Sequence, residues 1–465
     1  MNTSLLKLSM LLALTSLVAV AQSKQTNILV ILTDDLGYST TSAFANQKNV
    51  RIETPNIDRI ANEGAKFTNG YVTANVCGPS RSGLLTGKYQ QRFGVYANLD
   101  TQKGPGVPGS EKVMHTYFKE AGYRTAAIGK WHIGTKQKGQ HPLDRGIDTY
   151  YGFNSAQTDY FNSPILFNGK EKVKKHDYLT FQFTEEAIKF IEQDKKTPFF
   201  MYLAYNAVHS PMQAPKAYIE KYSKQGFPGS EAKQMAMVEA LDESIGKLLN
   251  TLEKNNLDKN TLIFFMSDNG GLPGWWIGNN APWKGFKREQ WEGGYHVQFM
   301  MKWPGKIPAG QVRSEMVFSL DVLTTSLAAA NIEKPKNTAL DGKNILPVFK
   351  SKKKKEIHEC LFWAGTHVAR KAGGKENIKK LPYKKSDAPA AWSVRTGKWK
   401  LVQMMEYGNA KLYDLDKDPA ENNDVYKDNP KIVKQLSKEF ANWFKDLAEP
   451  FEWNKKYYNE LKQIQ

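Results

Sequence analysis

Residues 27–33 read Asn27-Ile-Leu-Val-Ile-Leu-Thr33, an almost continuous apolar run that ends abruptly at Asp34-Asp35. A run without polar alternation predicts a strand covered on both faces, as in a parallel sheet flanked by helices. The same pattern, an apolar run followed at once by polar residues, recurs in three further segments: Arg124–Gly129, Phe199–Tyr205 and Thr261–Met266. These four segments predict strands of a parallel sheet.

Helical patterns lie between the predicted strands. Thr54-Pro55 opens one helix, as N-cap and first helical residue, and Gly64 ends it. A longer helix carries one apolar stripe: Met235, Val238, Leu241, Ile245, Leu248, Leu249 and Leu252. Strands that alternate with helices predict an α/β sandwich. In such sheets ligands bind beyond the carboxyl ends of the strands, where polar residues follow all four runs.

The strand–helix alternation weakens after about residue 345. Four short strand-like segments follow: Cys360–Trp363, Trp392–Arg395, Trp399–Val402 and Lys411–Asp414. With a final amphipathic helix near residues 430–447, they predict a smaller antiparallel subdomain with a helix packed on it. We therefore expect a large domain over residues 22–350 and a C-terminal subdomain over residues 351–465.

The first 21 residues have the pattern of a cleavable secretory signal. Lys7 precedes an apolar run, and Ala19-Val20-Ala21 supplies the small residues of a cleavage site. The apolar run is shorter than the ~20 residues of a membrane span, and no later segment approaches that length. We expect an exported protein, periplasmic or secreted, without a membrane span.

The chain of 465 residues carries 65 Lys and Arg against 47 Asp and Glu, a formal charge of +18. Loss of Lys7 with the signal would remove one positive charge and leave +17. Such an excess attracts polyanions, which are nucleic acid, anionic membrane or acidic glycan. Because an exported protein does not meet nucleic acid, we expect an acidic polysaccharide as the partner.

The chain has two cysteines, Cys77 and Cys360. In an exported protein such a pair is most simply a disulfide, and neither residue has the spacing of a zinc or redox motif. One bridge is not a framework for a chain of this length. The fold must therefore rest on its hydrophobic core.

Carboxylates follow two of the predicted strands. Asp34 and Asp35 are adjacent, and two such groups repel each other unless a cation lies between them. Asp268 and Asn269 follow another strand and complete a mostly anionic set of oxygen ligands, which suits Ca²⁺ or Mg²⁺ rather than Zn²⁺. An Asp-Asp pair alone is more often a helix cap or a turn, but the second strand end favours the metal.

The segment Cys77-Gly-Pro-Ser-Arg81, followed by a short helix and Thr86-Gly87, resembles the signature of type I sulfatases, whose cysteine is oxidised to formylglycine. Ser80 is a candidate cap for that helix, whose N-terminus favours an anion. Five further segments match the family in order and spacing: Asp34-Asp35, Gly129–His132, Val208–Pro211, Ser267–Gly270 and Lys287–Gly294.

The resemblance, which extends to exported bacterial polysaccharide sulfatases, implies an α/β fold of the alkaline phosphatase-like superfamily. Its large sheet is mixed, mostly parallel and sandwiched by helices, and a smaller subdomain with an antiparallel sheet follows at the C-terminus. By this resemblance the large domain is the catalytic domain.

By resemblance, Cys77 is converted to formylglycine by a formylglycine-generating enzyme or an anaerobic sulfatase-maturating enzyme. Arg81 then stabilises the hydrated aldehyde and the metal site. A bound Ca²⁺, with Mg²⁺ as the alternative, would take these ligands: Asp34, Asp35, the modified Cys77, Asp268 and Asn269.

The remaining polar residues of the family pocket would act on the substrate. By resemblance, Lys130 and Lys287 clamp the sulfate oxygens, and His209 protonates the leaving alcohol. One hydroxyl of the hydrated aldehyde attacks sulfur and expels the sugar alcohol, and the second, deprotonated by His132, then releases sulfate. A serine or an unmodified cysteine lacks the second hydroxyl and should stall.

The chain departs from the family in one segment. Where the family has Glu-Gly-Gly-x-Arg-x-Pro, this chain has Glu292-Gly-Gly-Tyr-His296-Val-Gln298, and the upstream Leu-Arg-Gly is replaced by Trp283-Lys284-Gly285. Lys287 lies five residues before Glu292, as the family's sulfate lysine does, and Lys284 is the second choice. These changes concern pocket detail, not the reaction class.

Substrate specificity is expected from loops. A loop over residues 271–291 holds four of the 11 tryptophans: Trp275, Trp276, Trp283 and Trp291. Core packing is the ordinary role of tryptophan, but we interpret these four in a loop beside the site as a sugar-stacking wall, with Trp275, Trp276 and Trp283 as candidate substrate-binding residues. The basic segment 352–385 would lie opposite, with three candidate substrate-binding residues: His367, Arg370 and Arg395.

The sequence thus predicts a sulfatase that acts on a sulfated polysaccharide or its oligosaccharides. A small aryl sulfate or a lipid is the alternative substrate. Two other functions stay open, hydrolysis of phosphodiesters or phosphonate monoesters within the same superfamily and non-catalytic binding of an acidic polysaccharide.

Overall fold

The computed structural model describes residues 25–45, 52–98, 106–272, 274, 279–334, 338–351, 355–365, 391–404, 409–451 and 462. A ten-stranded sheet consists of β1 (Asn27–Thr33), β2 (Ala65–Tyr71), β3 (Arg124–Lys130), β4 (Thr149–Phe153), β5 (Phe167–Asn168), β6 (Glu171–Lys172), β7 (Phe199–Ala204), β8 (Thr261–Ser267), β9 (Phe299–Lys302) and β10 (Gln311–Phe318). A four-stranded sheet consists of β11 (Leu361–Ala364), β12 (Trp392–Thr396), β13 (Trp399–Gln403) and β14 (Lys411–Asp414). The helices are α1 (Pro55–Asn62), α2 (Cys77–Thr86), α3 (Met114–Glu120), α4 (Leu179–Gln193), α5 (Lys216–Lys224), α6 (Gly229–Lys254), α7 (Glu292–Tyr295), α8 (Asp321–Ala329) and α9 (Pro430–Phe444).

The large sheet has the strand order β10-β2-β9-β8-β1-β7-β3-β4-β5-β6. The four strands expected from the apolar runs, β8, β1, β7 and β3, are adjacent and parallel. β9 runs antiparallel to β2 and β8, and β5 runs antiparallel to β4 and β6. The predicted fold class, a mixed and mostly parallel sheet with helices, is confirmed.

The side chains of β1 enter two hydrophobic cores. Leu29 and Ile31 join the core that contains residues of α1, α4, α5 and α6, whereas Ile28 and Val30 join the core that contains residues of α2, α3 and α8. Successive side chains of a strand point to opposite faces of the sheet. Because both faces of β1 are covered, its sequence is apolar throughout and does not alternate.

The helix patterns are also confirmed. α1 begins at Pro55 after Thr54, and Ile57, Ile60 and Ala61 are its buried residues. The seven residues of the predicted apolar stripe on α6 are all buried. Within the described ranges no helix is both long and apolar enough to cross a membrane.

The C-terminal sheet is antiparallel in the order β11-β12-β13-β14, as the short strand-like segments predict. α9 packs on it through Leu436, Phe440 and Phe444, and the Phe440 ring stacks on Trp392 with centroids 4.5 Å apart. The boundary between residues 350 and 351 stays a prediction. The signal segment 1–21 lies outside the described residues.

A buried histidine makes the stability of this fold sensitive to acid. His115 on α3 is fully buried, its Nε2 donates a hydrogen bond to the carbonyl oxygen of Ala126 at 3.1 Å, and burial lowers its pKa from 6.5 to about 3. The unfolded chain therefore binds a proton at a pH where the folded chain does not. We expect this difference to lower the free energy of unfolding by about 1.4 kcal/mol for each pH unit below about 6.5, down to about pH 3.

His115→Gln should remove this component, because the glutamine amide can also donate to Ala126 and does not titrate. Urea unfolding of both proteins at about pH 7 and about pH 5 measures the difference. The same pH dependence in the variant and in the wild-type chain would show that other groups cause it.

Candidate active site

The carboxyl ends of the four central parallel strands bring the predicted polar residues together. Asp34 and Asp35 follow β1, Lys130 ends β3, His209 follows β7, and Asp268 follows β8. All five are buried. Parallel strands place their carboxyl ends at one edge of the sheet, and this edge is where ligands bind in open α/β sheets.

Cys77 is the first residue of α2 and only 1% exposed. The backbone N–H of Gly78 donates to Asn98 Oδ1 at 2.9 Å, and Cys77 Sγ lies 3.7 Å from the same oxygen. Burial raises the pKa of the Cys77 thiol, but the charges of Lys130 and Lys287 lower it by more, so the pKa is shifted downward overall. Residue 77 thus sits at a helix N-terminus among positive charges, a setting that favours an anion.

Two expectations for this segment are wrong. Ser80 does not cap α2, because the helix begins at Cys77 after Val76, and the Ser80 N–H already donates to the Val76 carbonyl oxygen at 3.2 Å. Pro79 permits this earlier start, since a residue in the first turn needs no N–H donor. The simple disulfide interpretation also fails, because Cys77 and Cys360 are both free.

Each carboxylate of the site is paired with a cation. Lys130 Nζ lies 2.5 Å from Asp34 Oδ2, and Lys287 Nζ lies 2.5 Å from Asp35 Oδ1. The third pair is made by Arg81, whose Nε and Nη2 lie 2.8 and 2.7 Å from Asp268 Oδ2.

These pairs leave three buried oxygens, Asp34 Oδ1, Asp35 Oδ2 and Asn269 Oδ1, without a hydrogen-bond partner among the described residues. Ligand-capable atoms of Asp34, Cys77 and Asp268 lie within 4.8 Å of one another. Buried polar atoms are rarely left unpaired, because removing them from water is costly. Hard cations prefer oxygen ligands such as these carboxylates and this amide, so the residues present fit Ca²⁺ or Mg²⁺.

The charges of the site lead to the same conclusion. Burial raises the pKa of Asp34 more than Lys130 and Arg81 lower it, and burial together with Asp34 raises the pKa of Asp268. A divalent cation would oppose both shifts. Because the three carboxylates are already matched by three cationic side chains, such a cation would give the site a net positive charge that attracts an anionic ester.

His132 and Asp35 both have left-handed backbone conformations, with φ of 58° and 62°. Such values are uncommon outside glycine, and they turn the chain sharply at the ends of β3 and β1. Burial and the charges of Lys130 and Arg81 hold the pKa of His132 well below its usual range. His132 is therefore a neutral imidazole, and its Nδ1 has no partner among the described residues.

The second histidine of the site, His209, lies next to Asp35. Its Nδ1 donates to the Ser210 carbonyl oxygen at 2.8 Å, and its Nε2 lies 3.6 Å from Asp35 Oδ2. Burial lowers the pKa of His209, and Asp35 only partly opposes that shift. The ring is thus oriented by its Nδ1 hydrogen bond, and Nε2 is the nitrogen that faces the site.

Lys287 reaches the site because two backbone segments pack closely. A Cβ added to Gly270 would lie 1.7 Å from the Gly293 carbonyl oxygen, so glycine alone fits there. The Lys287 N–H donates to the Gly271 carbonyl oxygen at 2.9 Å. Lys284, the second choice, instead lies over the Trp291 ring, with its Nζ 4.1 Å from the centroid.

A buried charge network beside Lys287 was not identified from the sequence. Lys400 Nζ on β13 lies 3.0 Å from Glu292 Oε1 and 2.9 Å from Glu421 Oε1. Arg395 Nη1 on β12 lies 2.9 Å from Glu292 Oε2, and its guanidinium lies over the Tyr71 ring. The Arg395 side chain is therefore occupied inside the protein, a position that does not support the predicted contact with a sugar.

This network joins the segment of Lys287 to the C-terminal subdomain. Burial raises the pKa of Glu421 to about 7, since Glu292 adds to the shift and Lys400 only partly opposes it. We expect Lys400→Met to destabilise the protein by about 3–5 kcal/mol, because it leaves Glu292 and Glu421 buried with less counter-charge.

Lys398→Met is the matched control for that variant. Lys398 pairs with Asp414 at 2.6 Å but is 38% exposed, so its loss should cost about 1 kcal/mol or less. Urea unfolding compares the two variants. Equal destabilisation would contradict the importance assigned to the buried network.

The described residues include only part of the predicted sugar-binding surface. The Trp283 ring stacks on His296 with centroids 4.1 Å apart and is half-buried. Trp291 is buried against Tyr413 of the C-terminal subdomain, so it is a core residue and not part of the predicted stacking wall. Four other candidates lie outside the described residues: Trp275, Trp276, His367 and Arg370.

Asn98 is the other site residue that sequence reasoning missed. It belongs to none of the matching segments, and only folding places its side chain at the start of α2. Asn269 was predicted as a metal ligand, and its amide nitrogen orients Asp35 by donating to Oδ1 at 2.7 Å.

Residues 26–332 match the family described as "Sulfatase", and residues 283–446 match the family described as "N-sulphoglucosamine sulphohydrolase, C-terminal". The chain is 33% identical over 454 residues to the uncharacterized sulfatase YdeN of Escherichia coli (strain K12), covering 88% of this chain and 80% of that protein. It is also 33% identical over 353 residues to N-acetylgalactosamine-6-sulfatase of Homo sapiens, covering 69% of this chain and 65% of that one.

Among solved structures, the fold is similar to Ps i-CgsB in complex with k-i-k-neocarrahexaose. The TM-score is 0.83 at 32% identity, and the match covers 95% of this chain and 98% of that one. The family model, the named relatives and the solved structure all indicate a sulfatase. The chain therefore belongs to the sulfatase family, the enzymes that hydrolyse sulfuric esters.

Proposed function

We propose that this protein hydrolyses sulfate esters of a sulfated polysaccharide or its oligosaccharides, through a formylglycine formed at Cys77 and a bound Ca²⁺. One observation carries the proposal: buried Cys77 lies among three carboxylates and three cationic side chains, and Asp34, Asp35 and the Asn269 amide each have one buried oxygen without a hydrogen-bond partner among the described residues. The named activity of the human relative and the sugar in the complex of Ps i-CgsB support the substrate class.

Ca²⁺ would be held by carboxylate and amide oxygens together with residue 77. The carboxylates are Asp34, Asp35 and Asp268, and the amide oxygen is that of Asn269. When bound, the cation would supply charge that stabilises an oxygen nucleophile and the sulfate oxygens. Mg²⁺ is the alternative, because it also prefers oxygen ligands.

The modified residue 77 would supply two hydroxyls on one carbon, one to attack sulfur and one whose deprotonation releases sulfate. Arg81, fully buried against Asp268, would hold the modified residue 77 in position and stabilise the negative charge on its oxygen. The ammonium groups of Lys130 and Lys287 would contact the anionic ester, because they lie in the site beside Asp34 and Asp35, respectively.

The two histidines would move protons at defined atoms. His132 is neutral and has an unpaired Nδ1, so it can accept the proton of the second hydroxyl. His209 faces the site with Nε2 and would donate the proton to the leaving alcohol oxygen. The negative charge of a bound sulfate ester would raise the pKa of His209 and favour its protonated form.

We further propose that the protein works outside the cytoplasm, after export directed by residues 1–21. Maturation would require a formylglycine-generating enzyme or an anaerobic sulfatase-maturating enzyme, since Cys77, Pro79 and Arg81 match the segment that such enzymes read. Nucleic acid has no part in this proposal.

The test compares ester classes on one preparation that was co-expressed with a maturating enzyme. Release of sulfate from sulfated oligosaccharides and from an aryl sulfate is measured beside hydrolysis of a phosphodiester and a phosphonate monoester. We expect the sulfate esters to have the higher kcat/KM. Faster hydrolysis of a phosphorus ester, or no hydrolysis of any sulfate ester by protein with modified Cys77, would contradict the proposal.

A further inference from the structure

A cleft of about 850 Å³ lies on the protein surface and shares no lining residue with the candidate active site. The residues that matter for its chemistry are Phe161, Lys172, Lys174, Lys175, His176 and Asp177. They belong to the loop after β4 and to the segment that begins with β6. A cleft of this size can accommodate one or two sugar units.

The cleft is basic. Lys172, Lys174 and Lys175 are exposed, and in the described part of the chain none of their ammonium groups lies within ion-pair distance of a carboxylate. Asp177 is the single acidic residue of the lining. His176 contributes no free group, because Nε2 accepts from the Ser163 N–H at 2.9 Å and Nδ1 donates to the Asp177 carbonyl oxygen at 2.7 Å.

The cleft also offers an aromatic surface. The Phe161 side chain is 37% exposed, and it is one of four large apolar side chains that are exposed among the described residues. Its ring packs on Tyr178 with centroids 5.1 Å apart, and its N–H donates to Asp159 Oδ1 at 2.8 Å. The ring is thus held in place with one part open, as stacking on a sugar requires.

The segment that carries Phe161 is hydrogen-bonded to the loop of His209. The hydroxyl of Tyr160, the neighbour of Phe161, lies 2.8 Å from the His209 carbonyl oxygen and 2.6 Å from that of Asn206. Gln213 Nε2 donates to Asp159 Oδ2 at 2.6 Å. These hydrogen bonds place the segment of Phe161 next to the segment of His209, so one extended chain could contact both the cleft and the active site.

We propose that this cleft is a second carbohydrate subsite, which binds a sulfated sugar of the chain whose ester is cleaved in the active site. The lysines attract the sulfate groups, and Phe161 contacts the apolar face of a pyranose ring. This inference rests on the proposed substrate class. It adds a preference for oligomers over small sulfate esters.

The test measures binding and turnover separately. The variant Lys172→Gln, Lys174→Gln, Lys175→Gln is compared with the control Lys195→Gln, Lys196→Gln, Lys259→Gln. The control has the same charge change, on exposed lysines that precede β7 and β8 and so lie at the amino-terminal ends of these strands, away from the active site. Native gels that contain carrageenan, chondroitin sulfate or heparin measure affinity, with unsulfated dextran as the blank.

For the sulfated polymer that retards the wild-type protein most, the cleft variant should bind about tenfold more weakly at low salt. The control should change by about twofold or less, because its lysines lie far from the proposed path of the chain. Phe161→Ala should weaken binding at low and at high salt, since stacking is not screened. Hydrolysis of 4-nitrophenyl sulfate should keep its kcat/KM in all three variants.

Equal weakening in the cleft and control variants, or unchanged binding in the cleft variant, would overturn the subsite. Because the gels need no turnover, the two proposals fail separately. Selective loss of binding without sulfate release from any ester would reject the sulfatase mechanism and keep the subsite. Sulfate release with no selective loss of binding would reject the subsite and keep the sulfatase mechanism.

Discussion

Cys77→Ser should lose steady-state release of sulfate by on the order of 10³-fold or more, while the protein stays folded. The substitution replaces one buried side chain by another of similar size, so the contacts around Asn98 and Gly78 can persist. A serine offers a single hydroxyl, which can take up the sulfuryl group but cannot release it. We therefore expect a covalent sulfated protein, detected by intact mass spectrometry, and no sustained turnover.

Cys360→Ser is the matched control, because Cys360 is the other free cysteine and lies only partly buried before β11. It should keep full activity. Peptide mass spectrometry of the active wild-type protein should show that residue 77 has lost its sulfur. Full activity with an intact Cys77 thiol, or sustained turnover by Cys77→Ser, would contradict the mechanism.

Asp35→Asn should lower the affinity for Ca²⁺ by at least about 100-fold and reduce sulfate release in parallel. Asp35 Oδ1 is held by Lys287 and Asn269, which leaves Oδ2 for the cation. Although burial raises the pKa of Asp35, Lys287 and His209 lower it well below its usual range, so the group is ionised at neutral pH. The amide variant keeps the shape but lacks the charge that binds the metal.

Asp242→Asn tests whether loss of any buried carboxylate has the same effect. Asp242 is 4% exposed and accepts hydrogen bonds from the backbone of Asn56 and Ile57, where it caps α1. It should lower stability without changing the Ca²⁺ affinity measured by calorimetry. Equal loss of Ca²⁺ affinity in both variants, or stoichiometric Zn²⁺ in the purified protein, would show that the metal assignment is wrong.

The central strands and the long helix could be predicted from the sequence, because the burial of each element determines the spacing of its apolar residues. The apolar run before Asp34 has no alternation since both faces of β1 are covered. The stripe on α6 repeats at helical spacing since one side of that helix meets the core. Each pattern depends only on neighbours in the chain.

That the candidate site residues lie together could be predicted for a related reason. Asp34, Lys130, His209 and Asp268 each follow an apolar run, and parallel strands end at one edge. The topology of the sheet thus converts four distant motifs into one cluster. Their pairing, Lys130 with Asp34 and Lys287 with Asp35, required the three-dimensional arrangement.

Sequence patterns were sufficient to predict the fold class and the edge of the sheet where the candidate site residues meet. They did not show which charged residues form ion pairs inside the protein, because that depends on the three-dimensional arrangement. Arg395 looked like a substrate ligand, but it pairs with Glu292, which lies 103 positions earlier in the chain. Ion pairs depend on charges brought together by folding and leave no periodic trace, so sequence patterns cannot tell a buried guanidinium from an open one.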